Sequence, residues 1–248
     1  MKCILCREFG PVEAVRLEEV EPPPCGSKQV RYRTTAATLG FMDTLMVRGL
    51  YQHKPQLPYV PGSASAGVVT GATGGIGFAA MQLGHHLGAR VIGAVGSADK
   101  AQFLRAHGFD ETIDYSVEGF KDRVNALTGG RGADVIFEVV GGDIFEQSLR
   151  AINVGGRILV LGFAGGKIGN APANLPLLKN ASIVGSFLGG WRQRDPEGVA
   201  AMTREMLEVL AKGELKTPVS ATFALAEAAR AMAAATDRRN VGQVVVLK

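Results

Sequence analysis

The apolar positions change rhythm near Val68. Before that point they come in short runs broken by turn residues. MKCILCREF reads as a first strand, and REFGPVEAVRLEEVEPPP as a strand, a turn and a strand that ends in prolines. QVRYRTTAATLG alternates polar and apolar residues in its first half, the pattern of a half-buried strand, and FMDTLMVRGLY suits a helical turn. LPYVPGSASAGVV is a proline-broken loop that leads into another strand.

From Val68 onward, strand and helix patterns alternate. VVT is a short apolar strand, and GIGFAAMQLGHHLG sets Ile76, Ala79, Ala80, Leu83 and Leu87 on one helical face. RVIGAV, ETIDY, DVIFEVV, RILVLG and ASIVGSFL read as further strands. Between them lie helices over ADKAQFLRAHG, closed by Gly108, over VEGFKDRVNALTGG and over FEQSLRAI. DVIFEVV is nearly unbroken in its apolar character, which predicts a strand covered on both faces. A helix over 196–212, a strand near VSATF, the alanine-rich helix ALAEAARAMAAAT and a last strand, GQVVVLK, complete the chain. Repeated strand–helix units with a glycine loop after the first predict an α/β fold built on a doubly wound parallel sheet, a Rossmann domain.

Composition changes this picture little. Of 248 residues, 46% are hydrophobic and 20% charged, the balance of a water-soluble globular chain. The net charge of +4 arises from scattered residues, so it argues against nucleic acid and suits a phosphate-bearing small molecule. Three cysteines make no disulfide framework, and Cys3 and Cys6, three apart on a strand, face opposite ways. No apolar run is long enough to span a membrane and no signal peptide is present, which predicts a cytoplasmic protein with no membrane partner.

The chemistry centres on Thr70-Gly71-Ala72-Thr73-Gly74-Gly75-Ile76-Gly77. Glycines at three-residue spacing let the backbone turn tightly, approach a pyrophosphate and pack a helix against a strand. The expected dinucleotide ligands here are Gly71, Thr73, Gly74, Gly75, Ile76 and Gly77. An NAD-preferring site needs a carboxylate at the end of the second strand to bond the ribose. This chain has Ala94, Val95, Gly96 and Ser97 there, then Lys100, a hydroxyl and a cation that favour the 2′-phosphate of NADPH. Asp99, in the first turn of the next helix, reads as a solvated acid.

The loop pattern is shared with short-chain dehydrogenases, but two checks exclude them. Sixty-nine residues precede the loop, and no tyrosine is followed four positions later by lysine: Tyr32, Tyr51, Tyr59 and Tyr115 are followed by Ala36, Pro55, Ser63 and Gly119. In combination and order, the N-terminal segment to AGVV, TGATGGIGFAAMQLG, RVIGAVGSADK, TIDY, DVIFEVVGG, GGRILVLGFAGG and FALAEAARAM with GQVVVL carry a different resemblance. The chain resembles the zinc-free, zeta-crystallin-like quinone oxidoreductases of the medium-chain dehydrogenase/reductase superfamily.

The resemblance implies an NADPH-dependent enzyme, without zinc, that passes a hydride to a quinone or an α,β-unsaturated carbonyl. It implies that Ser97, Lys100 and Tyr115 hold the 2′-phosphate, and that Val140, Gly141, Gly162 and Phe163 lie along the ribose and nicotinamide. Phe187, Leu188, Gly189 and Arg238 would approach the cofactor from the C-terminal part. Tyr51 and Asp43 are the catalytic candidates; Tyr51 suits a packing role equally, and Asp43 a helix cap. A homodimer is expected, since the family pairs its Rossmann domains edge to edge.

The chain also departs from its family. Gly40 stands where an asparagine is usual and Ala64 where a glutamate is. AGVV runs straight into TGATGG, so that about 80 residues of the usual two-domain enzyme are absent after Val69. The expected organisation is a truncated, mainly β GroES-like domain over 1–68, an NADP-binding Rossmann domain over 69–212 and a C-terminal segment over 213–248 that returns to the substrate domain. The shortened substrate side leaves two further readings open: a catalytically weak NADP(H)-binding module, acting as a redox sensor or interaction protein, or a deletion product.

Overall fold

The structure, a computed structural model, describes residues 2–21, 36–39, 41–50, 54, 56–58, 69–237 and 239–247. The first elements are β1 (Lys2–Leu5), β2 (Arg16–Glu19), β3 (Ala36–Leu39) and α1 (Phe41–Val47). After them come α2 (Gly75–His86), β4 (Gly93–Val95), α3 (Ala98–Ala106), β5 (Thr112–Asp114), α4 (Phe120–Leu127), β6 (Ala133–Glu138), α5 (Gly142–Ala151) and β7 (Ile152–Val160). The chain continues through α6 (Asn174–Lys179), β8 (Ser182–Gly185), α7 (Leu188–Arg194), α8 (Pro196–Ala211), β9 (Val219–Ala224), α9 (Ala228–Thr236) and β10 (Gln243–Leu247). These fall into two units, one of Met1–Ala64 with Thr217–Lys248, the other of Ser65–Lys216.

In the 65–216 unit every named strand pairing is parallel: β4 with β5, β6 with β7 and β7 with β8. Val69 and Thr70 close the gap between the two groups. Both of their N–H groups donate to the Phe137 carbonyl of β6, and Thr70 forms a parallel bridge to Ala94 of β4. The resulting order is β5, β4, residues 69–70, β6, β7, β8, the doubly wound Rossmann arrangement, with its direction of winding reversing between residues 69–70 and β6. The strand expected over VVT is thus a two-residue seam within the described residues, Val68 lying outside them.

Alternation along the strands sends side chains to two apolar layers. On β4, Ala94 joins Ile113, Phe120, Val124, Ile136, Leu149, Ile152 and Ile158, while its neighbour Val95 joins Val69, Ala72, Phe78, Met81, Ala101 and Leu104. Two expectations need correction. The buried face of α2 is Gly77, Phe78, Ala80 and Met81, whereas Ile76 is 40% exposed and Leu87 73% exposed. Coverage of β6 on both faces holds for Ile136, Phe137 and Glu138, but Val135 is 52% exposed. Helices α6 and α7 had no counterpart in the sequence pattern.

In the other unit β1 pairs antiparallel with β2, and β10 lies between antiparallel β3 and parallel β9. Ile4, Cys6, Val15, Leu39, Val47, Val244 and Val246 pack with Ala228, Ala231 and Met232 of α9. Cys3 and Cys6 are buried free thiols. Burial pushes the Cys6 thiol up, although its Sγ donates to the Glu8 carbonyl.

Candidate functional site: the crevice at the carboxyl ends of the strands

The glycine loop turns directly out of the seam. Gly71 adopts φ +66°, the left-handed region that favours glycine. A Cβ on Gly77 would fall on the Gly71 carbonyl oxygen and lie 2.8 Å from the Ala72 Cα. Helix α2 therefore approaches the loop backbone as closely as a glycine allows. Gly74 is its N-cap, with no side-chain cap hydrogen bond and no acidic residue in the first turn. An uncapped helix N-terminus without a competing carboxylate suits a phosphate group, so the residues present fit a dinucleotide. Gly74 and Ile76 face solvent, Gly71 and Gly75 are half-buried, and Thr73 and Gly77 are buried inside the loop.

At the end of β4, Ser97 caps α3, its hydroxyl accepting from the Lys100 N–H at 3.5 Å. Tyr115 donates its N–H to the Val95 carbonyl, and its ring lies against Gly96: a Cβ there would be 3.1 Å from Cε2 and 3.3 Å from the phenolic oxygen. Ser97, Lys100 and Tyr115 are thereby gathered at one strand end. Burial pushes the Tyr115 phenol up, helped by the negative charges of Glu138 and Asp114, so it keeps its proton to higher pH and stays a donor.

Across the crevice, the loops after β6 and β7 are laced together. The carbonyls of Glu138, Val139 and Val140 accept from the N–H groups of Leu161, Ala164 and Gly165 at 2.8–2.9 Å. Gly141 sits at φ +79°, ψ −166°, bridged to Lys167, with Phe163 beside it. Val140, Gly141, Gly162 and Phe163 thus form one wall. Phe187, 47% exposed, caps α7 with Leu188 and Gly189 behind it, and its ring folds over Gly189 and Gly190.

Sequence reasoning passed over Glu138. It is fully buried, accepts from the Thr70 hydroxyl and from the Val140 and Gly141 N–H groups, and has no cation paired with it among the described residues. Burial pushes its carboxyl up, against these hydrogen bonds, which favour the ionised form. The available signal was an acid inside an otherwise apolar strand.

Of the catalytic candidates, Asp43 is buried in the first turn of α1, within the helix rather than before it. Tyr51 and Arg238 lie outside the described residues, as do Gly40 and Ala64. Among the described residues no group of three or more His, Cys, Asp or Glu could hold a metal ion, and no helix is long and apolar enough to cross a membrane.

A parallel sheet in this order, with an uncapped glycine loop at its switch point, defines a Rossmann domain of the dinucleotide-binding class. A family model described as zinc-binding dehydrogenase matches residues 75–209. The chain belongs to the medium-chain dehydrogenase/reductase superfamily, in its zinc-free quinone oxidoreductase branch. The quinone oxidoreductase-like protein 2 homolog of Nematostella vectensis is 29% identical over 324 residues, spanning 99% of this chain and 88% of that one. Because this chain supplies at most 248 of those 324 positions, at least 76 residues of the relative have no counterpart, in line with the expected gap of about 80. A quinone oxidoreductase of Pseudomonas aeruginosa is 36% identical over 176 residues, 71% of this chain and 54% of that one. The solved quinone oxidoreductase of Thermus thermophilus, described with its NADPH complex, is similar in fold, the match spanning 100% of this chain and 100% of that one at a TM-score of 0.84 and 24% identity.

Proposed function

We propose that the chain binds NADPH and acts as an NADPH-dependent oxidoreductase on a quinone or an α,β-unsaturated carbonyl. The observation that carries this reading is the strand end at Ser97: Val95, Gly96 and Ser97 stand where an NAD-preferring site needs a carboxylate, the Ser97 hydroxyl is held by the Lys100 N–H, and the Tyr115 phenol lies against Gly96. When bound, the nicotinamide supplies a hydride. The chain's own part is to seat the pyrophosphate on the N-terminus of α2, to hold the 2′-phosphate with Ser97, Lys100 and Tyr115, and to line the nicotinamide with Val140, Gly141, Gly162 and Phe163. Named relatives that are quinone oxidoreductases, and solved relatives described with NADPH, support the reading. Tyr51 and Asp43 remain its catalytic candidates, and Phe187, Leu188, Gly189 and Arg238 its further cofactor contacts. Strand β8, exposed at all of its residues, offers an edge for pairing with a second copy, which supports a homodimer; the reading places the protein in the cytoplasm.

The test is NADPH consumption with a simple quinone, beside an NADH control and a no-enzyme blank. Saturable turnover that prefers NADPH is expected. Binding without turnover would favour the second reading, a catalytically weak NADP(H)-binding module. That alternative draws on the residues of the relatives that have no counterpart here, since a shortened substrate side leaves a wet crevice. Lys100→Ala is expected to raise the NADPH dissociation constant about tenfold and to leave that for NADH nearly unchanged, as loss of one charge-assisted contact to phosphate requires. Titrating both nucleotides by fluorescence checks this.

A further inference from the structure

We infer that Glu138 is the positioning residue of the nucleotide crevice, its buried carboxylate tying the entrance of the glycine loop to the loop after β6. As far as cofactor affinity is concerned, the inference rests on the NADPH reading above; the tie itself does not.

The geometry is specific. Oε1 of Glu138 accepts from the Thr70 hydroxyl at 2.8 Å, from the Val140 N–H at 2.9 Å and from the Gly141 N–H at 3.1 Å, and Oε2 accepts from the same Gly141 N–H at 2.9 Å. The Thr70 hydroxyl in turn accepts from the Val139 N–H at 2.8 Å. Three consecutive N–H groups, 139 to 141, are thus spent on one side-chain pair. The carbonyls of 138 to 140 are spent on the 161–165 loop. The backbone between β6 and α5 has no polar group left over with which to settle into another shape.

Burying a carboxylate with no cation beside it is costly, and packing alone would be served better by an apolar residue. An anionic acceptor is what this site needs. One oxygen takes three donors while the second takes a fourth hydrogen bond. A glutamine side chain offers a single acceptor oxygen and would turn its NH2 group toward backbone donors. Thr70 precedes Gly71, and Gly141 belongs to the opposite wall. The tie therefore sets the distance between the two walls at the sheet's switch point. Glu138 lies beneath the surface and acts through those walls, not on substrate.

The experiment uses the full chain and three variants, Glu138→Gln, Thr70→Val and Thr70→Ser, with amide hydrogen exchange read on the nucleotide-free protein and NADPH dissociation constants read by titration. Exchange at Val139, Val140 and Gly141 is expected to speed up about tenfold or more in Glu138→Gln and Thr70→Val, and to stay slow in Thr70→Ser, which keeps the hydroxyl. NADPH affinity is expected to fall about tenfold in the first two. Should Glu138→Gln fail to fold, Thr70→Val carries the test. Unchanged exchange in both variants would overturn the tie. Faster exchange with unchanged NADPH affinity would overturn the positioning role and leave Glu138 a stability residue. Absence of NADPH binding by the unsubstituted chain would overturn the functional reading, and with it the positioning role, while exchange still decides whether the tie exists.

Discussion

Gly77→Ala is expected to abolish measurable NADPH binding under ordinary assay conditions, raising the dissociation constant about 100-fold, the scale of misplacing a binding group by about 1 Å. The added Cβ would land on the Gly71 carbonyl oxygen and 2.8 Å from the Ala72 Cα. Both are backbone, and no flexible side-chain end can step aside. Either α2 moves away from the loop or the loop opens, and each displaces the helix N-terminus proposed to seat the phosphates. Overpacking on this scale costs about 1–3 kcal/mol of stability. Nucleotide titration with a thermal melt separates the two effects. A variant that keeps both affinity and melting temperature would show that the loop relaxes freely, and the close approach would lose its meaning.

Gly141→Ala is the second large effect. At φ +79°, ψ −166° the residue occupies backbone space essentially closed to residues with a side chain, at a cost of about 1–3 kcal/mol, and its Cβ would fall on the Lys167 carbonyl oxygen, 3.0 Å from Phe163 Cδ1. The strain and the collision act together, so a loss at or above the upper end of that range is expected. Gly108→Ala is the comparison. Its φ is +86° but nothing lies within 4 Å of the added Cβ, so a loss of about 1 kcal/mol is expected. Denaturant unfolding of both variants checks the ordering. Equal losses would mean that the wall formed by Gly141 and Phe163 yields without resistance.

How far the sequence discloses this arrangement depends on the kind of signal. The glycine loop was legible because its chemistry demands absent side chains at fixed spacing. At the β4 end the sequence named Ser97, Lys100 and Tyr115, and the structure brings them to one strand end. The α2 face was misread because apolar periodicity weighs side-chain size, whereas the rotation of this helix is set by its smallest residue. Gly77 presses on residues 71–72, Phe78 and Met81 follow it inward, and Ile76 is left outside. Glu138 was missed because five apolar residues dominate the pattern of DVIFEVV, and its partners come from 68 positions earlier and from its own following turn. The two-residue seam could not be foreseen either, since it is defined by hydrogen bonds to Phe137 and a bridge to Ala94 rather than by any run of its own.

That seam also bears on the order in which the molecule assembles. The middle of the parallel sheet is made of residues 69 and 70, whose partners sit on strands far along the chain in the same direction, with Thr70 and Glu138 separated by 68 positions. Contacts that close loops of this length reward the chain only after the loop entropy has been lost, so they form late. Local strand–helix pairs such as β4 with α3 have no such delay. The glycine loop, folded around the seam, is then expected to be among the last parts to take shape as the chain folds.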